Sequence, residues 1–524
     1  MRDLHLPGRS PVIATEGMVA TSHPLAAQAA LDILKAGGNA VDAAIAGAVL
    51  LGVCEPQMTG IGGDCFVLMR PAGGGDLIAL NGSGRAPAGL SAAALRAGGA
   101  TAIGTESVHS VTIPGAIDAF CALSDRHGRL GLDRLLAPAI RYFDQGVPVA
   151  ARVGFDWQGD AARLNADARR HYLKDGAPLK TGEIFRLPGQ AEVLRRVARD
   201  GRQAFYDGEV ADDMLAALRA AGGSHTRGDF AATACDWGQA VAGGFAGHVL
   251  SEHPPNGQGA TAILILNILS RFDLASLDPF GAERAHLEAE ATKLAYDARN
   301  RFIADPGHVT RLDHMLSQDT ADRLAALIDP KRALPMPAPG AEAVHRDTIY
   351  ITAVDRDRMA VSLIYSIYWG FGSGIASPKF GILLQNRGAG FSLAEGHPNE
   401  AAGGKRPMHT IIPGMIRQNG RAIMPFGVMG GAYQPCGHAR FVTNLVDYGL
   451  DLQEAMDAPR SFSGPEGMEV ERGYSDTVRS DLAAMGHQVV IPTTPLGGSQ
   501  AIRIDGDLLT GASDPRKDGC ALGY

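Results

Sequence analysis

Six cysteines in 524 residues, at positions 54, 65, 121, 235, 436 and 520, lie far apart with no C-x-x-C pair. That spacing argues against zinc ligation and against a disulfide framework, and it fits isolated buried thiols. There is no Lys/Arg block and no basic stripe with interleaved aromatics, and the formal net charge is a mild -8, so the electrostatic footprint of nucleic-acid binding is missing. No long hydrophobic run is present either. The apolar stretch 40–53 contains Asp42 and is too short to span a bilayer, and the first residues lack the continuous apolar region of a secretory signal. A cytoplasmic protein without membrane, metal or cofactor is the expectation. Internal repeats and low-complexity blocks are also absent. What the chain does have is 45% hydrophobic and 20% charged residues with 67 glycines, the composition of a soluble globular protein with many tight turns and a small-molecule partner. Its length exceeds one ordinary domain, although two interlocked segments around one large core also fit.

Along the chain, residues 24–35 carry apolar positions at helical spacing, with Ser22 as candidate N-cap and Gly37-Gly38 as stop; a second helix is expected over 39–51. Thr59-Gly-Ile-Gly-Gly-Asp64 precedes a strand-like run, 65–69. A phosphate loop needs the reverse order, strand before the glycines and helix after them, so a tight turn is the better reading. Residues 115–330 read as helices separated by Gly/Pro breaks, with one long amphipathic helix over Ala282–Phe302. Residues 331–345 are rich in Pro, Ala and Gly and read as a mobile loop.

That loop leads into the most informative stretch, Asp347-Thr348-Ile349-Tyr350-Ile351-Thr352-Ala353-Val354-Asp355. Its β-branched and aromatic residues predict a strand, Arg356-Asp357 a tight turn, and 359–368 the returning strand of a hairpin. A threonine hydroxyl becomes a useful nucleophile when a base takes its proton. Cutting the bond before Thr348 would free its own α-amine for that task. Alone, the residue would read as an ordinary strand threonine.

The motifs around it decide how it is read. Asp347-Thr-Ile-Tyr350, Gly370-Phe-Gly-Ser-Gly374, Val428-Met-Gly-Gly431, Glu55-Pro-Gln57, Gly60-Ile-Gly-Gly63 and Gly511-Ala-Ser-Asp-Pro-Arg516 stand in one order along most of the chain. In that set the sequence strongly resembles the γ-glutamyltransferase family of N-terminal-nucleophile hydrolases. The resemblance implies an α+β, four-layer αββα sandwich, autoprocessed between Asp347 and Thr348 into a large chain, 1–347, and a small catalytic chain, 348–524. It implies Thr348 as nucleophile, Ser366 as its hydroxyl partner on the paired strand, and Gly430 and Gly431 as oxyanion donors, a task that consecutive backbone N–H groups in a glycine turn can perform. In Asn81-Gly-Ser-Gly-Arg85-Ala-Pro87 it matches Arg85 to the arginine that grips the substrate carboxylate, for which a guanidinium fork is suited.

The substrate-reading positions depart from the family pattern. Gly390 stands where the family has an Asp for the substrate ammonium, Arg387 where it has a Gln, and His409-Thr410 where it has paired serines. His409 also reads as an ordinary buried histidine. Residues 392–404 are too few for the usual lid, which predicts a more open site. The expected function is therefore hydrolysis or transpeptidation of γ-glutamyl or related carboxylate-bearing amides, as in glutathione hydrolases. The alternatives are a glutaryl- or oxamate-type acylase and an unprocessed binding homologue without activity. A homodimer of processed pairs is compatible with the resemblance.

Overall fold

The strand that Thr348 leads into runs Ile349–Val354 and is buried at every position. It forms a hairpin with Ala360–Ser366, in a register that pairs Ile349 with Tyr365 and Val354 with Ala360. Asp355 closes the turn. Its Oδ1 accepts from the backbone N–H groups of Asp357 and Met359 at 3.0 and 3.1 Å, and its Oδ2 accepts from that of Ala40 at 3.0 Å, so one carboxylate both caps the turn and docks a helix N-terminus. The structure is a computed structural model that describes residues 5, 8–335, 348–464 and 467–524. Asp347 and all but the first five residues of the 331–345 stretch lie outside the described residues.

Two seven-stranded antiparallel sheets hold the hairpin and its counterpart. In one, Cys520–Gly523, Met18–Thr21, Ile349–Val354, Ala360–Ser366, Asp64–Arg70, Ile78–Gly82 and Asp236–Gln239 lie side by side. In the other the order is Val12–Ala14, Leu508–Ser513, Gly498–Asp505, Arg421–Met429, Gly414–Gln418, His248–Glu252 and Val241–Phe245. The period of two sends alternate side chains of the Ile349–Val354 strand to opposite sides. Ile349, Ile351 and Ala353 join the core beneath the helices that include Pro24–Lys35 and Ala40–Cys54. Tyr350 and Val354 turn inward, into the apolar layer between the sheets with Phe66, Ile364, Met415, Met429 and Ile502. Helices Gly259–Leu269 and Gln434–Val446 cover the outer face of the second sheet. The result is a four-layer αββα sandwich, and with both faces of the Ile349–Val354 and Ala360–Ser366 strands covered, the two are buried throughout rather than alternating.

The sequence expectations need three adjustments. Pro24–Lys35 is a helix, but its N-cap is His23, whose Nδ1 accepts from Leu25 N–H at 3.2 Å; the Ser22 hydroxyl is occupied by the buried Glu55 carboxylate. The second helix, Ala40–Cys54, extends three residues beyond the expected end and is buried along its whole length, with Asn39 and Asp42 forming a capping box. Within 115–330, read as helical, the strands Asp236–Gln239, Val241–Phe245 and His248–Glu252 supply an edge strand to each sheet. Edge strands are exposed and carry little hydrophobic pattern. The Ala282–Phe302 helix has the expected bounds. No helix among the described residues is long and apolar enough to cross a membrane.

Close approach between the sheets is set by Gly427, where any Cβ would overlap the Tyr350 ring. The Tyr350 hydroxyl in turn shares a 2.8 Å hydrogen bond with Ser362, which donates to the Phe426 carbonyl at 3.0 Å. Gly427→Ala is expected to destabilise the protein by on the order of 1–3 kcal/mol, because the ring fills the only space open to the methyl group. Thermal unfolding of the variant beside wild type measures this; an unchanged melting temperature would mean that the two sheets are free to separate locally.

Candidate active site

Thr348 is completely buried at the start of its strand. One residue beyond the Ile349–Tyr365 pair comes Ser366, which is itself paired with Asp64 on the next strand. Three neighbouring strand ends therefore place Thr348, Ser366 and Asp64 in a row on one rim of the sheet. The approach to that rim needs glycine: a Cβ at Gly62 would run into the Leu383 carbonyl, and one at Gly63 into that of Ser366.

Arg387 reaches this row from the far side and is fully buried. Its Nη1 donates to Thr410 Oγ1 at 2.7 Å and its Nη2 to Ser366 Oγ at 3.4 Å, while the guanidinium carbon lies 4.0 Å from the centre of the Tyr368 ring. Tyr368 has a φ of 82°, a left-handed value that non-glycine residues seldom adopt, and its N–H donates to Ser366 Oγ at 2.9 Å. The charge facing Arg387 is Asp64. That carboxylate accepts from Gly84 N–H at 2.8 Å, from the Gln385 amide at 2.7 Å and from His409 Nε2 at 3.0 Å. Burial pushes its pKa up to about 6, against the opposing pull of Arg387 and of these donors. The tautomer of His409 follows from its other nitrogen, since Nδ1 faces Ile411 N–H at 3.3 Å and the ring proton must then be on Nε2. The His409 ring is thus engaged by Asp64 and by the backbone, and it packs against Phe66 with centroids 4.6 Å apart.

At the end of the Arg421–Met429 strand, Gly430 and Gly431 take φ values of 117° and 53° before a short turn enters the Gln434–Val446 helix. A glycine turn is loose unless its carbonyls are pinned. Here Tyr433 N–H donates to the Gly430 carbonyl at 2.9 Å, the Gln258 amide donates to that of Gly431 at 3.0 Å, and the Tyr296 hydroxyl donates to that of Ala432. The same Gln258 amide binds the Thr410 carbonyl at 2.7 Å, and Arg299 Nη1 fixes its orientation at 2.8 Å. Gln258 therefore links the Thr410 segment to the glycine turn.

The structure brings Thr348, Ser366, Arg387, His409 and Thr410 into one buried cluster, joined through Gln258 to Gly430 and Gly431. Arg85 is not brought into it. Its guanidinium lies at the surface, 3.2 Å from Asp236, 3.5 Å from Asp305 and 3.1 Å from the Gly404 carbonyl, with 43% of the side chain exposed. The guanidinium beside the Thr348 row belongs to Arg387 instead. Gly390, at the end of the turn that Arg387 opens, lines a cavity of about 600 Å³. Asp64, Gln258, Arg299 and Tyr368 are contributions that sequence reasoning missed; only Asp64 carried a signal, as an acid opening an apolar strand. His286, Glu290 and His487 also lie close together, but Glu290 is paired with Lys293 at 2.6 Å and the imidazoles with each other at 2.8 Å.

The model of the gamma-glutamyltranspeptidase family matches residues 26–524. The chain belongs to that family. The "Glutathione hydrolase-like YwrD proenzyme" of Bacillus subtilis (strain 168) is 35% identical over 529 residues, covering 98% of this chain and 99% of the relative. The "Oxamate amidohydrolase proenzyme" of Klebsiella pneumoniae is 36% identical over 538 residues, with the same coverage. Among solved structures, the cephalosporin acylase from Bacillus halodurans superposes with a TM-score of 0.93 at 38% identity, covering 100% of this chain and 98% of that one. This gamma-glutamyltranspeptidase-family protein is thus an enzyme, an amidohydrolase with the N-terminal-nucleophile fold.

The raised Asp64 pKa has a consequence for stability. The folded protein holds that proton more tightly than the unfolded chain, whose carboxylate titrates near its ordinary value of 3.8. Stability from this group is therefore full at low pH, falls as pH rises from 3.8 to about 6, and stays level above that. Asp64→Asn lacks this dependence, so its stability relative to wild type is expected to rise by roughly 3 kcal/mol between about pH 4 and pH 7. Chemical denaturation of both proteins across that range measures it, and a difference that does not move with pH would contradict the account.

Proposed function

We propose that the chain is a precursor that cuts itself between Asp347 and Thr348, giving pieces 1–347 and 348–524, and that the mature enzyme hydrolyses amides whose acyl group carries a carboxylate. The freed α-amine of Thr348 takes the hydroxyl proton, and Oγ1 attacks the amide carbonyl. The negative oxygen formed is received by the N–H groups of Gly430 and Gly431, which their pinned turn holds ready before the reaction. The tetrahedral intermediate collapses, the amine departs with the proton, and an acyl ester remains on Thr348. Water, deprotonated by the same α-amine, then attacks the ester and restores the threonine. Ser366 already accepts from Tyr368 and Arg387, which leaves its own hydroxyl hydrogen to donate along the row toward Thr348.

One observation carries the substrate reading: Arg387, fully buried, lies between Ser366 and Thr410 beside the nucleophile's row. A planar guanidinium with a neighbouring hydroxyl suits an acyl carboxylate. In this reading Arg387 and Thr410 take the task first expected of Arg85, which Asp236 and Asp305 already engage. His409 acts through Asp64 as a positioning residue. Gly390 supplies no charge for a substrate ammonium, so glutaryl-type acyl groups are preferred and γ-glutamyl compounds such as glutathione are the poorer substrates. That one relative is named an oxamate amidohydrolase, acting on an acid without an amine on its acyl group, supports this direction.

On a denaturing gel, wild type is expected to run as two bands and Thr348→Ala as one. Among p-nitroanilides, glutaryl is expected to exceed γ-glutamyl in kcat/KM by about one to two orders of magnitude, from the lost charge contact alone, with Gly390→Asp narrowing the gap. A processed enzyme that favours γ-glutamyl by about tenfold or more would refute the substrate reading while leaving the nucleophile in place.

A further inference from the structure

The cavity beside Gly390 is larger than an unsubstituted acyl chain requires, and its position says which part of a substrate would enter it. Its walls combine Ile103 and Ile303 of the large segment with Tyr368, Trp369, Phe391 and Met408 of the small one. Tyr368 is the ring that stacks on Arg387, and Met408 stands two residues before Thr410, so the space adjoins the carboxylate end of the acyl group. No Asp or Glu among the described residues lines it, and its basic lining residues are Arg299 and His397. At Gly390 a Cβ would meet only the Met408 carbonyl, at 3.1 Å, so the chain there walls the cavity without filling it.

We propose that this cavity is a binding site for a neutral, largely apolar substituent on the acyl carbon that bears the carboxylate. An aroylamino group is one such substituent, standing where a γ-glutamyl group has its ammonium. The proposal deepens, and rests on, the reading in which Arg387 holds that carboxylate. An ammonium entering the cavity would lose its water among Phe391, Met408 and Trp369 with no opposite charge on the walls. Acylating the same nitrogen removes the charge and adds apolar surface for those walls to cover. The left-handed backbone at Tyr368 fixes the ring between cavity and guanidinium, so the space is present before substrate arrives.

The test compares three p-nitroanilides that share a carboxylate and chain length, glutaryl, γ-glutamyl and N-benzoyl-γ-glutamyl, on the processed wild type and on Gly104→Trp. Gly104 lines the cavity, and a Cβ there has nothing within 4 Å, so a side chain at this position starts in open space and its indole takes up part of the cavity. In wild type the benzoyl compound is expected to exceed glutaryl in kcat/KM by about tenfold, and in Gly104→Trp that ratio is expected to fall by about threefold or more. A benzoyl compound at or below glutaryl in wild type, or a ratio that Gly104→Trp leaves unchanged, overturns the inference while the glutaryl rate upholds the reading of Arg387. A processed protein that cleaves none of the three overturns both.

Discussion

The site is organised around a charge with no access to water. Asp64 is completely buried, and an isolated carboxylate in such a place is prohibitively unfavourable unless donors surround it. Its donors come from separate parts of the chain: the Gly84 amide after one strand, the Gln385 side chain just before Arg387, and the His409 imidazole beside Thr410. The last two draw toward the Thr348 row the segments that carry Arg387 and Thr410. The residual cost shows as a pKa of about 6, a cost to stability that burial of the carboxylate imposes.

Around that centre the sandwich acts as a rigid mount. The Ile349–Val354 strand is central in its sheet and covered on both faces, so the position of Thr348 at its start is set by hydrogen bonds on either side and by Tyr350 locked against Gly427. The Gly430-Gly431 turn belongs to the opposite sheet, and Gln258 connects it to the Thr410 segment. Thr348 and the Gly430-Gly431 turn, the proposed nucleophile and oxyanion donors, are therefore held by different sheets, and the tight packing between the two keeps their separation constant.

Much of this was legible in the sequence where a residue's role depends on neighbours along the chain. The 349–366 hairpin and the Ala282–Phe302 helix follow from periodicity and turn chemistry, and the glycines at 430–431 from their place after an apolar strand. Roles set by distant partners were not legible. Ser22 has the chemistry of a helix cap, yet the buried Glu55 claims its hydroxyl. Arg85 sits in a motif that suits a carboxylate clamp, yet Asp236 and Asp305, remote in sequence, hold it at the surface. Gln258 leaves no local trace at all, because its function consists of two carbonyls more than 150 residues away. The strands between 236 and 252 escaped for a different reason: as edges, their exposed faces and glycines erase the alternation that identifies a strand.

The central claim is that Thr348 carries the acyl group, and intact-mass spectrometry of the processed enzyme, stopped by acid during turnover of a glutaryl amide, tests it most directly. The account predicts a C-terminal fragment beginning at Thr348 that gains the mass of one glutaryl group, placed by fragmentation on Thr348 itself. An uncut chain that is nevertheless active, or an adduct confined to any other residue, would contradict it.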